Sequence, residues 1–242
     1  MNEIIFFGQN QFPKLIKNEP DEITKPIQFK FENENENENE NEKQIKQISS
    51  DYFSTIFLFE NGKAIEYLSE NDSNQNPHKI QIENIQKVTV VGNNQAILTI
   101  EGNVFAKGKD INPENPKEFI NISSLIEDTN DRIIQDIIFS ANSIYLLNSN
   151  QNAYGIGSNK YGQLGFGYET LEQTEKPILM MKNVSKIFSG NFSLSVFLLN
   201  SNQELFGSGN NNDGELGLGE SIKETKIQKL TKITKYSKRQ NN

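Results

Sequence analysis

Residue types that do chemistry are scarce in this chain. There is no cysteine and only one histidine, His78. That excludes a thiol nucleophile, a disulfide scaffold, thiolate zinc and a multi-histidine metal centre. His78 lies in Asn74-Gln75-Asn76-Pro77-His78-Lys79, with no Cys, Asp or Ser beside it to orient it for proton transfer, and reads as a surface loop residue. The glycine cluster Gly162 to Gly167 has the order Gly-x-x-Gly-x-Gly. That is neither a dinucleotide fingerprint nor a phosphate loop, and a second copy of it occurs downstream. No catalytic, cofactor or metal residue is expected, so the chain reads as a non-enzyme.

Charge offers two other candidates. Glu32 to Glu42 alternates Glu with Asn and holds six Glu, and its composition predicts a disordered insertion over 32–42. Formal net charge is −8, but without that tract 26 acidic residues face 24 basic ones. The body is near neutral, which argues against a nucleic-acid binder. Near the end, Lys223, Lys226, Lys229, Lys232, Lys235 and Lys238 recur every three residues, followed by Arg239. Such a block is a solvated tail or a contact for an anionic partner, and period three fits neither a flat strand nor a helix face.

The elements that position these residues follow from repetition. Ala153 to Gly167 and Leu205 to Gly219 align without a gap at a spacing of 52. They share seven positions: Gly155/Gly207, Gly157/Gly209, Asn159/Asn211, Gly162/Gly214, Leu164/Leu216, Gly165/Gly217 and Gly167/Gly219. Fainter copies surround Gly108, Leu68 and Gly8. A second phrase, two apolar residues three apart, keeps step: Ile45/Ile48, Ile85/Val88, Ile134/Ile137, Val184/Ile187 and Ile233/Tyr236. An apolar run follows each of the first four pairs, then a turn such as Asn61-Gly62, which is a hairpin signal. Each unit thus reads as strand, turn, strand, hairpin, strand and glycine-rich loop. The glycines are expected to allow positive φ and close approach between units.

Several short strands per period of about 50 residues indicate a propeller or β-solenoid. Few Ala (5), no Trp and abundant Ile and Phe suit strands. The prediction is all-β: one repeat domain over 1–242, with four complete units, two terminal fragments and a polar tail over 237–242. The N-terminal fragment, at Ile5, reads as a third strand and the C-terminal one, at Ile233, as a first strand. Their composite blade lacks a second strand, so an incomplete ring is expected.

Tyr154-Gly155-Ile156-Gly157-Ser158-Asn159 with Gly162-Gln163-Leu164-Gly165-Phe166-Gly167 resembles the repeat of the regulator of chromosome condensation family. Ile156 and Ser208 stand where that repeat carries Trp, and Gly190 and Gly92 keep the glycine of its Gly-x-x-His signature without the His. The resemblance is specific over 133–230 and degenerate over 1–132. It implies a β-propeller that binds proteins, as a scaffold or a subunit of a larger assembly. The alternative it implies is guanine-nucleotide exchange on a small GTPase. Protein partners are expected, including an acidic one at the lysine-rich end, and no membrane or nucleic acid. Nothing reads as a secretory or transit peptide or as an apolar span, so an intracellular, cytoplasmic location is expected, with nucleus or cilium open.

Overall fold

A computed structural model describes residues 4–9, 22–29, 44–51, 53–68, 78–167, 172–191, 193–219 and 226–233. The Glu-Asn tract, the 237–242 tail, Lys223, Lys235, Lys238 and Arg239 lie outside them. Within these residues the chain forms four four-stranded antiparallel sheets and one two-stranded sheet, the blades of a β-propeller. Blade I is β3 (Ile45–Ser50), β4 (Ser54–Phe59), β5 (Ala64–Leu68) and β6 (His78–Lys79). Blade II is β7 (Ile85–Val91), β8 (Asn94–Thr99), β9 (Val104–Lys107) and β10 (Ile120–Asn121). Blade III is β11 (Ile134–Ser140), β12 (Ser143–Asn148), β13 (Ala153–Ser158) and β14 (Gln173–Met181). Blade IV is β15 (Val184–Phe188), β16 (Ser195–Asn200), β17 (Leu205–Asn210) and β18 (Lys226–Lys232). At the start, β1 (Ile4–Gln9) pairs antiparallel with β2 (Glu22–Phe29).

The unit therefore holds a fourth strand where the sequence reads only a loop. The expected hairpins are present. Each turn between second and third strands is a three-residue loop whose last residue is left-handed: Gly62, Gly102, Gln151 and Gln203. This is a type I turn closed by a bulge, not a two-residue hairpin.

The phrase of two apolar residues three apart has a geometric cause. Side chains alternate along a flat strand, so such residues would face opposite sides. Every first strand here carries a bulge just after the first of the pair, at Ile45/Gln47, Ile85/Lys87, Ile134/Asp136 and Val184/Lys186. The extra residue returns the second apolar side chain to the buried face. Ile85 with Val88, Ile134 with Ile137, and Val184 with Ile187 are accordingly buried. Ile48, on blade I, is instead 47% exposed.

First strands of successive blades lie side by side. Gln47 Nε2 donates to Val88 O at 2.7 Å, and Val88 N–H donates to Gln47 Oε1 at 3.0 Å. Lys87, at the matching bulge of β7, donates to Ile137 O at 2.8 Å and to Asp136 at 2.7 Å. The outer ends are stitched as well: Ile85, Ile134 and Val184 each donate a backbone N–H to the preceding blade's hairpin, at Gly62, Gly102 and Gln151.

Ile233 belongs to blade IV, not to the start of a further unit. Its N–H donates to Leu205 O, as Ile80 donates to Ala64 O and Ile122 to Val104 O. The expected partner Tyr236 lies outside the described residues, and Ile5 lies opposite Gln28 of β2. The incomplete ring therefore stays an expectation.

Candidate functional site

Equivalent positions in the four blades follow from strand pairing. Ala64, Val104, Ala153 and Leu205 each lie opposite the same Leu of the second strand, at 58, 98, 147 and 199. Two residues on stand Glu66, Ala106, Gly155 and Gly207; three residues on stand Tyr67, Lys107, Ile156 and Ser208. On the second strand Thr55, Gln95, Ile144 and Val196 correspond, with Gln95 opposite Lys107, Ile144 opposite Ile156 and Val196 opposite Ser208. The first of these positions on one blade faces the other two on the next, so each seam between blades can be read residue by residue.

Between blades III and IV the seam is plugged by the glycine-rich loop. Asn159 and Asn211, shared by both clear repeats, organise their loops by accepting the N–H of Leu164 and Leu216 through Oδ1, at 2.9 and 3.2 Å. Leu164 is fully buried in one cluster with Val184, Ile187, Val196 and Leu198. A Cβ on Gly155 would stand 2.7 Å from Leu164 Cδ2, and a Cβ on Gly165 2.8 Å from Ser208 Oγ. These glycines make room for the plug. Gly157 has another reason: its φ is +105°, and a Cβ there would meet Asn142 O at 2.4 Å. Gly209 repeats this against Leu194 O at 2.3 Å. Gly162, Gly167, Gly214, Gly217 and Gly219 all have positive φ, whereas Gly207 is a packing position against Leu216.

Between blades II and III the seam is also apolar. Ala106, Ile144 and Ile156 share a buried cluster with Ile111, Ile122 and Ile126.

The seam between blades I and II is different. Glu66, Gln95 and Lys107 occupy the three positions, all at least half-buried. Lys107 Nζ donates to both carboxylate oxygens of Glu66, at 3.1 and 2.9 Å, with side-chain exposures of 12% and 4%. The ammonium also sits 4.7 Å from the centroid of the Phe119 ring. Gln95 Nε2 donates to Glu66 and, at 3.1 Å, to Ser54 Oγ. Those bonds fix the amide, because turning it would set its oxygen against the carboxylate. Gln95 Oε1 is left buried with no hydrogen-bond partner among the described residues.

This triad floors a cleft of about 1040 Å³. Phe53 and Phe119 stand in its walls, and its lining holds four lysines, 79, 107, 109 and 117, against two glutamates, 66 and 118. Since Lys107 is held by Glu66, the exposed rim sets Lys79, Lys109 and Lys117 against Glu118. The arrangement suits binding: a cationic rim, part-apolar walls and a buried acceptor that lacks a donor.

His78 lines the same cleft, on β6 opposite Glu66 rather than in a loop. The lysine series falls elsewhere. Lys226, Lys229 and Lys232 lie on β18, which bulges away from β17 between Ile227 and Thr231, and this bulge accounts for their odd spacing. Lys229 there pairs with Phe166 of the blade III loop, and Lys232 forms an ion pair with Glu204. Sequence reasoning missed the triad. Its signal was present: Glu66 and Lys107 are charged residues in a frame that elsewhere holds Gly, Ala, Ile, Ser or Tyr.

A second buried polar knot lies beside blade III. Asp131 accepts from Asn150 Nδ2 at 2.9 Å, Asn152 Nδ2 at 2.8 Å and the Tyr154 hydroxyl. Burial pushes the Asp131 carboxyl up, but these bonds together outweigh it and hold it at about 2. Burial and the adjoining Asp131 push the Tyr154 hydroxyl up. The knot ties the linker before blade III to its second hairpin.

Among the described residues no helix is long and apolar enough to cross a membrane, and no group of three His, Cys, Asp or Glu could hold a metal ion.

No family model and no curated protein sequence matches the chain. Solved structures do. Human WBSCR16 is 12% identical, with a TM-score of 0.70, over 94% of this chain and 60% of that one. Prp20p from Saccharomyces cerevisiae is 13% identical, with a TM-score of 0.69, over 96% and 59%. Yeast RCC1 (Prp20) in a structure with Kap60 gives 13% and 0.67, over 89% and 52%. The likeness shows the fold, a β-propeller of the regulator of chromosome condensation type. The chain spans between half and three fifths of the length of these structures.

Proposed function

We propose that this chain is a non-enzymatic scaffold that binds other proteins, as a structural subunit of a larger intracellular assembly. The observation that carries the reading is the cleft between blades I and II, where a seam built apolar elsewhere is replaced by buried polar groups beneath a cationic rim. Propellers and other repeat folds present such faces to partners. The similar structures support the reading in kind: one is described as Kap60 bound to yeast RCC1, another by the binding of Prp20p to Gsp1p and histones. An acidic partner could also dock on the lysine series at β18, but Lys232 there is already paired with Glu204. Purification of the tagged chain from its native source tests the reading. A stoichiometric protein partner is expected; a solitary monomer overturns it.

The second reading, guanine-nucleotide exchange on a small GTPase, rests on the resemblance in the glycine-rich repeats. A nucleotide-release assay separates the two, since the scaffold reading expects no acceleration.

A further inference from the structure

We infer that the cleft between blades I and II takes an acidic peptide segment of a partner protein, held by carboxylates at the lysine rim and by a donor N–H at Gln95. The inference rests on the scaffold reading and names the chemistry of what is bound. Three observations point the same way.

First, among the seams between described blades the polar triad is peculiar to this one. At the same three positions the next seam holds Ala106, Ile144 and Ile156, and the one after it Gly155, Val196 and Ser208. An apolar solution to the packing problem is thus available within the same chain, and a buried ion pair is no better for stability than well-packed apolar residues. The polar set needs a reason beyond packing.

Second, the floor has an unmet requirement. Gln95 Oε1 is buried with no hydrogen-bond partner among the described residues, so the floor carries an acceptor without a donor. A peptide backbone supplies N–H donors. A phosphate or polyphosphate offers mainly acceptors and leaves this atom unmet.

Third, the rim favours carboxylates held singly. Lys79 and Lys109 are exposed at the mouth. Lysine ammoniums are point charges that attract separate carboxylates without demanding the forked geometry of arginine. Lys107, turned inward to Glu66, keeps its charge from being spent on the ligand. The cleft, at about 1040 Å³, also stands at the upper end of the size range of small-molecule pockets and suits an extended segment.

The test titrates a fluorescein-labelled Glu-Glu-Asn-Phe-Glu-Glu peptide into the full chain and follows anisotropy. Lys79→Glu with Lys109→Glu reverses two exposed rim charges, and a thermal melt confirms that this variant folds. The double variant is expected to raise Kd at least roughly tenfold, while Lys226→Glu with Lys229→Glu on β18 stays within about twofold. A peptide with every Glu replaced by Gln is expected to bind at least roughly tenfold more weakly. The inference is overturned if the acidic peptide does not bind, if the rim variant binds it unchanged, if the Gln peptide binds as well, or if inorganic pyrophosphate competes at equal concentration. The same rim variant, purified from the native source, separates the two readings. A partner retained by both wild type and variant removes the cleft assignment and leaves the scaffold. A wild-type chain with no partner removes the scaffold, while the titration still decides the cleft.

Discussion

Seam I/II and seam III/IV solve one geometric problem with opposite chemistry. Both must fill the gap between the third strand of one blade and the second and third strands of the next. Blades III and IV do it with a folded-back loop: Gly155 leaves space, Leu164 fills it, and Gly165 lies against Ser208. Blades I and II put Glu66 at the vacated position and Lys107 where Ser208 stands, with Gln95 in place of Val196. The first solution is dry and closed. The second leaves a cleft, a basic rim and one buried acceptor without a donor. Repeats with the full glycine signature are here the structural ones, and the eroded pair holds the proposed binding cleft.

Breaking the polar seam should have the largest effect. Lys107→Met leaves the Glu66 carboxylate buried without its counter-charge and is expected to cost about 3–4 kcal/mol in denaturant unfolding. Copying the next seam with Glu66→Ala, Gln95→Ile and Lys107→Ile together should recover most of that loss and abolish peptide binding. A triple variant as unstable as the single one would contradict the comparison. Breaking the dry seam comes next. Leu164→Ala removes a fully buried side chain from the plug and should cost about 3 kcal/mol, with no change in the cleft's affinity.

Asp131 sharpens the comparison, as a buried carboxylate that accepts three side-chain hydrogen bonds. Asp131→Asn turns an acceptor of three side-chain bonds into a neutral amide and should cost about 2 kcal/mol. Its folded-state value, about 2, lies below the ordinary carboxylate value of 3.8. Its contribution is therefore fully present above about pH 4 and is lost as pH falls toward 2. Acid titration of stability should show wild type losing its advantage over Asp131→Asn across that window. The smallest effect is expected at Lys232, whose pair with Glu204 is exposed at 50% and 35%: Lys232→Ala should change stability by about 0.5 kcal/mol or less.

Much of this architecture is legible in the residues, for identifiable reasons. The paired apolar positions, three apart, keep their step because a bulge recurs at the same place in every first strand. The glycines stand out because Gly157 and Gly209 sit against backbone carbonyls that tolerate no Cβ. The fourth strands are not legible. Two of them are only two residues long, and β14 and β18 are bulged, which scrambles their alternation. Nor is the site. Glu66 and Lys107 are 41 residues apart and meet only because consecutive blades pack, so no local motif announces them. Of the lysine series, conspicuous in sequence, Lys226, Lys229 and Lys232 lie on β18, and Lys232 is paired with Glu204.

Amide hydrogen exchange with and without the acidic peptide tests the central claim most directly. The account predicts slowed exchange at Phe53–Ser54, Asn93–Gln95, Lys107–Lys109 and Lys117–Phe119, with blades III and IV unchanged. Protection centred on Lys226–Lys232, or none at the cleft while peptide is bound, would contradict it.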